Sequence, residues 1–202
     1  MENLLSTVKS ISELIDDFEK GLIAIPEIQR DVVWKSDQVK ALIDSITHGF
    51  PCGSLILWEP REKDASIVKS IVRPERLEKF NGVLPRYFLL DGQQRLTALS
   101  SVILERKLLK DLLNELEEDM PFIFTNLKKF PKEIEATDAV AGYNFPWVMY
   151  NSMFDGSLNN SNEYASLENA TKEKIRKHVQ TIRDYKFPVQ IIRDQNYQTV
   201  AE

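Results

Sequence analysis

Cysteine and histidine are scarce in this chain of 202 residues, and their scarcity excludes several kinds of site. The one cysteine, Cys52, has no partner for an internal disulfide. Together with His48 and His178 it cannot supply a conventional structural zinc site. The chain also lacks an apolar run near the roughly 18 residues that a membrane span needs, so no membrane partner is expected. Its first residues lack a secretory signal pattern, which predicts a cytoplasmic protein.

A surplus of positive charge is also lacking. The formal net charge is −5, so the chain as a whole is not a basic nucleic-acid binder. Any contact with nucleic acid therefore needs a local basic patch or a partner domain. Hydrophobic residues make up 43% of the chain and charged residues 28%, a balance typical of a globular protein with a real core.

Short apolar runs alternate irregularly with helical periodicity, which predicts an α+β protein. Val8 and Phe18 share the first helical pattern, which Gly21 ends, and Ser36 is expected to cap a second helix that ends before Gly49. Weak strand character is found at 66–72. The predicted strands are 22–25, 54–58, 86–90, 121–127 and 187–192, and the other predicted helices are 96–107, 108–119 and 167–186.

The stretch YFLLDGQQRLTAL (87–99) places a polar turn between a buried strand and a helix. Asp91 can cap a helix that begins at Gly92 or Gln93. The first N–H groups of a helix attract anions, and Gly92 lets a ligand approach the backbone closely. Arg95 has the planar fork that binds phosphate through two hydrogen bonds, and the amides of Gln93 and Gln94 suit a sugar, base or water. The turn therefore has the chemistry of a phosphate site, although a plain capped turn with a surface arginine explains the same residues.

Two further stretches carry similar chemistry. IPEIQRDVVW (25–34) places Gln29 and Arg30 between a strand and a helix, where Arg30 supplies a second cation or forms a surface ion pair. GFPCGSLILW (49–58) places Gly53 and Ser54 at the start of a strand, where backbone N–H groups can meet a ligand. A free cysteine such as Cys52, just before a strand, is most often a small apolar residue.

In chain order, IPEIQRDVVW, GFPCGSLILW and YFLLDGQQRLTAL resemble the N-terminal domain of GmrSD-type restriction endonucleases. This family of phage-defence proteins is related to the ParB and sulfiredoxin fold, so the resemblance implies a mixed sheet with flanking helices. The motifs that carry the resemblance lie within residues 22–104, and residues 105–202 resemble the family loosely. We therefore expect a ParB/sulfiredoxin-like nucleotide-binding core at 1–107 and a partly helical extension at 108–202, truncated before the C-terminal segment of the family.

The resemblance implies a pocket for a nucleoside triphosphate with Mg²⁺ and an NTPase activity. The catalytic positions carried over are Asp91, Gln94 and Arg95, with Asp91 binding Mg²⁺ or orienting a water as alternatives to capping. The binding positions carried over are Gln29, Arg30, Gly53, Ser54, Gly92, Gln93 and Thr97. Sulfiredoxins have a cysteine in this turn, so the glutamines here argue against peroxiredoxin repair.

The partners implied are a nucleotide, and DNA reached through a nuclease domain or subunit that this chain lacks. A homodimer stays open. Two other functions also stay open. One is a ParB-like nuclease, which would need acidic metal ligands near Asp91; Asp31, Asp37 and Asp44 are near it in sequence only. The other is a non-catalytic module that binds DNA or protein through the basic stretches KEKIRKH (172–178) and LKKFPK (127–132), which a solvated helix face and a core also explain.

Overall fold

The computed structural model describes residues 4–26, 34–61, 65–72, 78, 80–104, 122–132, 134–137 and 147–193. The chain divides into two compact units. The first contains residues 1–31, 53–96 and 186–202, and the second contains residues 32–52 and 97–185. The predicted boundary between residues 107 and 108 lies outside the described residues and stays a prediction.

The first unit is built on a mixed five-stranded sheet. Its strands are β1 (Leu4–Ser10), β2 (Ile23–Ala24), β3 (Leu55–Trp58), β4 (Tyr87–Asp91) and β8 (Lys186–Ile192), in the order β1-β8-β3-β4-β2. The β1–β8 and β3–β4 pairs are antiparallel, whereas the β8–β3 and β4–β2 pairs are parallel. The helices α1 (Ile11–Glu19) and α3 (Ala65–Ile71) belong to the same unit, and α4 (Gln93–Ile103) begins in it. This arrangement confirms the predicted α+β class with a mixed sheet flanked by helices.

Trp58 and Phe88 form the centre of one hydrophobic cluster in this unit. Both side chains are fully buried, on the neighbouring strands β3 and β4, with ring centroids 5.6 Å apart. The helix α3 contributes Val68 and Ile71 to the cluster. The weak strand predicted at 66–72 is therefore wrong. Apolar side chains three and four residues apart lie on one helical face, and the burial of that face outweighs the β-propensity of valine and isoleucine.

The N-terminal helical pattern also needs a correction, because Val8 lies in the strand β1 and is exposed. Ser10 ends that strand and caps α1, since its hydroxyl accepts a hydrogen bond from the Glu13 N–H while the Glu13 carboxylate accepts one from the Ser10 N–H. This capping box fixes the helix start at Ile11.

The second unit contains α2 (Ser36–Thr47), which packs against the long helix α7 (Asn169–Asp184). Lys35, rather than the predicted Ser36, precedes the first turn of α2, and its N–H donates to Gln38 Oε1 at 3.0 Å. An antiparallel sheet of β5 (Phe122–Asn126), β6 (Ile134–Thr137) and β7 (Trp147–Met149) has the order β6-β5-β7. The short helices are α5 (Ser152–Asp155) and α6 (Asn162–Ala165), with a 3₁₀ turn at Ser157–Asn160 between them.

His178 lies in a buried polar contact of this unit. Its Nε2 is hydrogen-bonded to the hydroxyl of the fully buried Tyr150, and the ring of Phe130 meets its imidazole edge to face at 4.9 Å. Burial lowers the pKa of His178 to about 4 and raises that of Tyr150. The imidazole is therefore neutral at neutral pH, which suits its burial.

Candidate functional site

The turn between β4 and α4 is set by one glycine. Gly92 has φ of +95°, and its carbonyl accepts the first helical hydrogen bond, from the Leu96 N–H at 3.0 Å. A Cβ at this position would lie 2.2 Å from Leu55 Cδ2 and 3.4 Å from the Ser54 carbonyl oxygen. Both the conformation and the space therefore require glycine. The helix begins at Gln93, one of the two predicted starts, with Gly92 directly before it and Asp91 at the end of the strand.

The pairing of β3 with β4 brings the turn to residues 53 and 54. Because the two strands are antiparallel, the start of β3 lies beside the end of β4, and Ile56 is paired with Asp91. Gly53, with φ of +83°, lies under the Arg95 side chain, and a Cβ there would be 3.2 Å from Arg95 Nη1. Two stretches that are distant in sequence thus meet at one place in the first unit.

Arg95 is the centre of this arrangement. Its Nη2 donates to the Ser54 carbonyl oxygen at 2.7 Å and lies 3.4 Å from Asp91 Oδ2. The side chain is 22% exposed, whereas that of Asp91 is 65% exposed. The Nε atom is buried and has no hydrogen-bond partner among the residues that the structure describes. A cation in the first turn of a helix opposes the helix dipole, and an ion pair as exposed as this one offsets little of that cost.

The structure places the other predicted positions in two groups. Asp91, Gly92, Gly53 and Ser54 surround Arg95 in the first unit. Gln93 and Thr97 are buried and lie one helical turn apart. Each is two residues from Arg95, so both lie on a different face of α4 from Arg95. Thr97 Oγ1 has no hydrogen-bond partner within the described part of the chain. Gln94 is half-buried beside Arg95, and Gln29 and Arg30 lie outside the described residues.

Leu55 is the residue of this site that sequence reasoning missed. Its side chain is buried and approaches Gly92 so closely that it excludes any larger residue there. An apolar residue at the start of a strand carries no signal of such a role, because only the β3–β4 pairing brings the two residues together.

The described ranges contain candidates for neither a metal site nor a membrane span. No group of three or more histidine, cysteine, aspartate or glutamate residues there is arranged to hold a metal ion. None of the helices in those ranges is long and apolar enough to cross a bilayer.

Comparison with known proteins identifies the family. A model of the GmrSD restriction endonuclease N-terminal domain matches residues 11–201. An uncharacterised protein of Methanocaldococcus jannaschii is 30% identical over 93 residues, which cover 45% of this chain and 16% of that relative. The match thus spans about a sixth of the relative's length. The family model covers nearly all of the chain, including the Gly53–Ser54 stretch and the turn at Arg95. The chain therefore belongs to the family of GmrSD restriction endonuclease N-terminal domains.

Proposed function

We propose that the turn from Asp91 to Arg95, with Gly53 and Ser54, binds the phosphates of a nucleoside triphosphate. The observation that carries this proposal is the buried Arg95 Nε, which has no hydrogen-bond partner among the described residues. A buried donor without a partner costs about 1–3 kcal/mol, and a phosphate oxygen would remove that cost. Arginine also remains charged at any relevant pH and suits two-point contact with phosphate.

The surroundings of Arg95 support an anion rather than a neutral ligand. The first-turn N–H groups of α4 point along the positive end of the helix dipole. Glycine at 53 lets the Arg95 guanidinium lie against the backbone, since a Cβ there would be 3.2 Å from Arg95 Nη1. The Arg95 Nη2 contacts with Ser54 and Asp91 hold the guanidinium in place, so little entropy is lost when a phosphate binds.

Hydrolysis is the second part of the proposal. Phosphoryl transfer needs positioning and charge neutralisation, which Arg95 and the helix terminus provide. Asp91 is exposed beside Arg95 and fits a Mg²⁺ ion held through one carboxylate and the substrate phosphates. Gln94 is the residue proposed to orient the attacking water. In a GmrSD-type system, the nucleotide state would regulate the access of a nuclease domain or subunit to DNA.

The binding step is tested by calorimetric titration with ATP, GTP, CTP and UTP in the presence of Mg²⁺. We expect at least one nucleotide to bind the wild type and Arg95→Ala to abolish that binding. The control is Arg176→Ala, which removes an arginine that is 66% exposed and lies outside the turn. Equal nucleotide binding by the wild type and Arg95→Ala would refute the proposal. It would also be refuted if the wild type bound none of the four nucleotides.

A lysine variant separates charge from geometry at the same position. Arg95→Lys keeps the positive charge but loses the planar fork, so we expect nucleotide binding at least about tenfold weaker than that of the wild type. Phosphate release by the wild type, measured at saturating nucleotide, then tests hydrolysis, with Asp91→Asn as the variant that keeps the size of the side chain.

A further inference from the structure

The second unit contains a groove of about 640 Å³ between α2, the segment after β5 and α7. Four lysines line it: Lys40, Lys132, Lys174 and Lys177. Within the described ranges, none of the four lysines forms an ion pair with a carboxylate. Asp44 is the one acidic residue among the described residues that line the groove. Asp44 Oδ1 itself lies 3.3 Å from His48 Nδ1. This lysine groove is thus strongly positive within a chain whose net charge is −5.

The lysines come from three separate parts of the chain. Lys174 and Lys177 are three residues apart on one face of α7, Lys40 lies on α2, and Lys132 follows β5. The packing of α2 against α7 brings them together. Like charges repel one another, so a cluster of this kind is stabilised by an anion with several negative groups. The buried His178 beside them is neutral, and the lysines therefore carry the charge.

An aromatic pair stands at the end of α2 beside the lysine groove. His48 lines the groove, and its ring stacks on that of Phe50, with centroids 5.7 Å apart and planes 18° apart. Phe50 is 58% exposed, so much of its ring is open to solvent. An exposed, stacked aromatic pair offers a face on which a further ring can lie.

The backbone that presents Phe50 is fixed. The Tyr185 hydroxyl donates to the Phe50 carbonyl oxygen at 2.8 Å and accepts from the Cys52 N–H at 3.2 Å. The Phe50 N–H donates to the Ser45 carbonyl oxygen at 2.8 Å. Burial and the Cys52 contact raise the pKa of Tyr185 to about 12, so its hydroxyl remains a donor at neutral pH. The backbone that carries the aromatic pair is therefore held in position before any ligand arrives.

We infer that the lysine groove binds an unpaired nucleic-acid strand, with its phosphates on the four lysines and a base stacked on the His48–Phe50 pair. A positive groove beside an exposed aromatic face is the combination by which proteins hold single strands without reading their sequence. An acidic protein segment would match the lysines but gives no reason for the aromatic face. Membership of a restriction family makes DNA the expected strand.

Salt dependence tests the lysines. The full chain is titrated against a fluorescein-labelled thymidine strand of about 12 nucleotides, within the range of known site sizes, and anisotropy is recorded. With four lysines on phosphates, we expect log K to fall with log salt with a slope of about −2.8. The double variant Lys174→Gln, Lys177→Gln keeps two of the four lysines, so its slope should be about −1.4. The control, Lys20→Gln with Arg176→Gln, removes equal charge outside the groove and should keep the wild-type slope.

Stacking is tested separately at Phe50. Phe50→Ala should weaken binding about fivefold or more with no change in salt slope, because no phosphate contact is lost. Phe50→Trp should bind at least as tightly as the wild type. A duplex of the same length should bind more weakly than the single strand and should not respond to Phe50→Ala.

Three outcomes would overturn the inference. The first is a salt slope of the Lys174→Gln, Lys177→Gln variant equal to that of the Lys20→Gln, Arg176→Gln control. The second is equal binding of the single strand and the duplex. The third is tighter binding of polyglutamate than of the oligonucleotide. The inference is independent of the nucleotide proposal, since Arg95→Ala should leave strand binding unchanged. Failure of one proposal is therefore distinguishable from failure of the other.

Discussion

Replacement of Gly92 by alanine should destabilise the first unit far more than a glycine substitution normally does. The left-handed backbone alone costs a non-glycine residue about 1–2 kcal/mol. A Cβ placed 2.2 Å from Leu55 Cδ2 also forces a packed side chain to move, which costs about 1–3 kcal/mol in a dense core. The free energy of unfolding should therefore fall by about 2–5 kcal/mol.

Gly82→Ala is the matched control. Gly82 also has a positive φ, +75°, but a Cβ there would have no atom within 4 Å. The free energy of unfolding of this variant should fall only by the cost of the left-handed backbone, about 1–2 kcal/mol. Urea unfolding followed by tryptophan fluorescence, to which the buried Trp58 of the first unit contributes, measures the stability of both variants, and a shift of the midpoint at constant slope reports stability.

A second variant isolates the contact with Leu55. Leu55→Val removes the Cδ2 atom, so Gly92→Ala should cost less in that background than in the wild type, by about 1–3 kcal/mol. Equal midpoints for Gly92→Ala and Gly82→Ala would refute the reasoning, and so would strict additivity of Gly92→Ala and Leu55→Val.

Two predictions concern the buried pair in the second unit. Tyr150→Phe removes the hydroxyl that is hydrogen-bonded to His178 Nε2 and leaves that atom buried, so urea unfolding should show a loss of about 1–3 kcal/mol. The folded-state pKa of His178, about 4, lies below the ordinary value of 6.5, so the unfolded chain binds the proton first. Stability should therefore be complete above pH 6.5 and should fall as the pH drops from 6.5 towards 4. A His178→Gln variant that loses stability equally over that range would contradict this assignment.

Local sequence patterns were enough to predict most of the central elements. The strands at 54–58 and 86–90 and the helix at 167–186 correspond to β3, β4 and α7, because an apolar run or a helical period decides each of them locally. The strand β1 was missed. Its side chains are mostly exposed, and it is a strand because it pairs with β8, which lies at the other end of the described chain.

The candidate site was predictable as chemistry but not as geometry. Glycine, glutamine and arginine at a strand–helix junction favour an anion site, although a capped turn with a surface arginine has the same residues. The approach of Gly53 to Arg95, and of Leu55 to Gly92, depends on the β3–β4 register, which no local pattern contains. In the same way, KEKIRKH and LKKFPK were identified as basic, but their meeting with Lys40 required the packing of α2 on α7.

The most direct test of the nucleotide proposal is an NMR measurement of the Arg95 side chain. In the ¹H–¹⁵N spectrum of the full chain, the Nε–H signal is assigned by its loss in Arg95→Lys. Addition of a nucleoside triphosphate with Mg²⁺ should move this signal strongly downfield, because a phosphate oxygen becomes the partner of a buried donor that has none among the described residues. A signal that stays in place while other resonances respond to the nucleotide would contradict the proposed site.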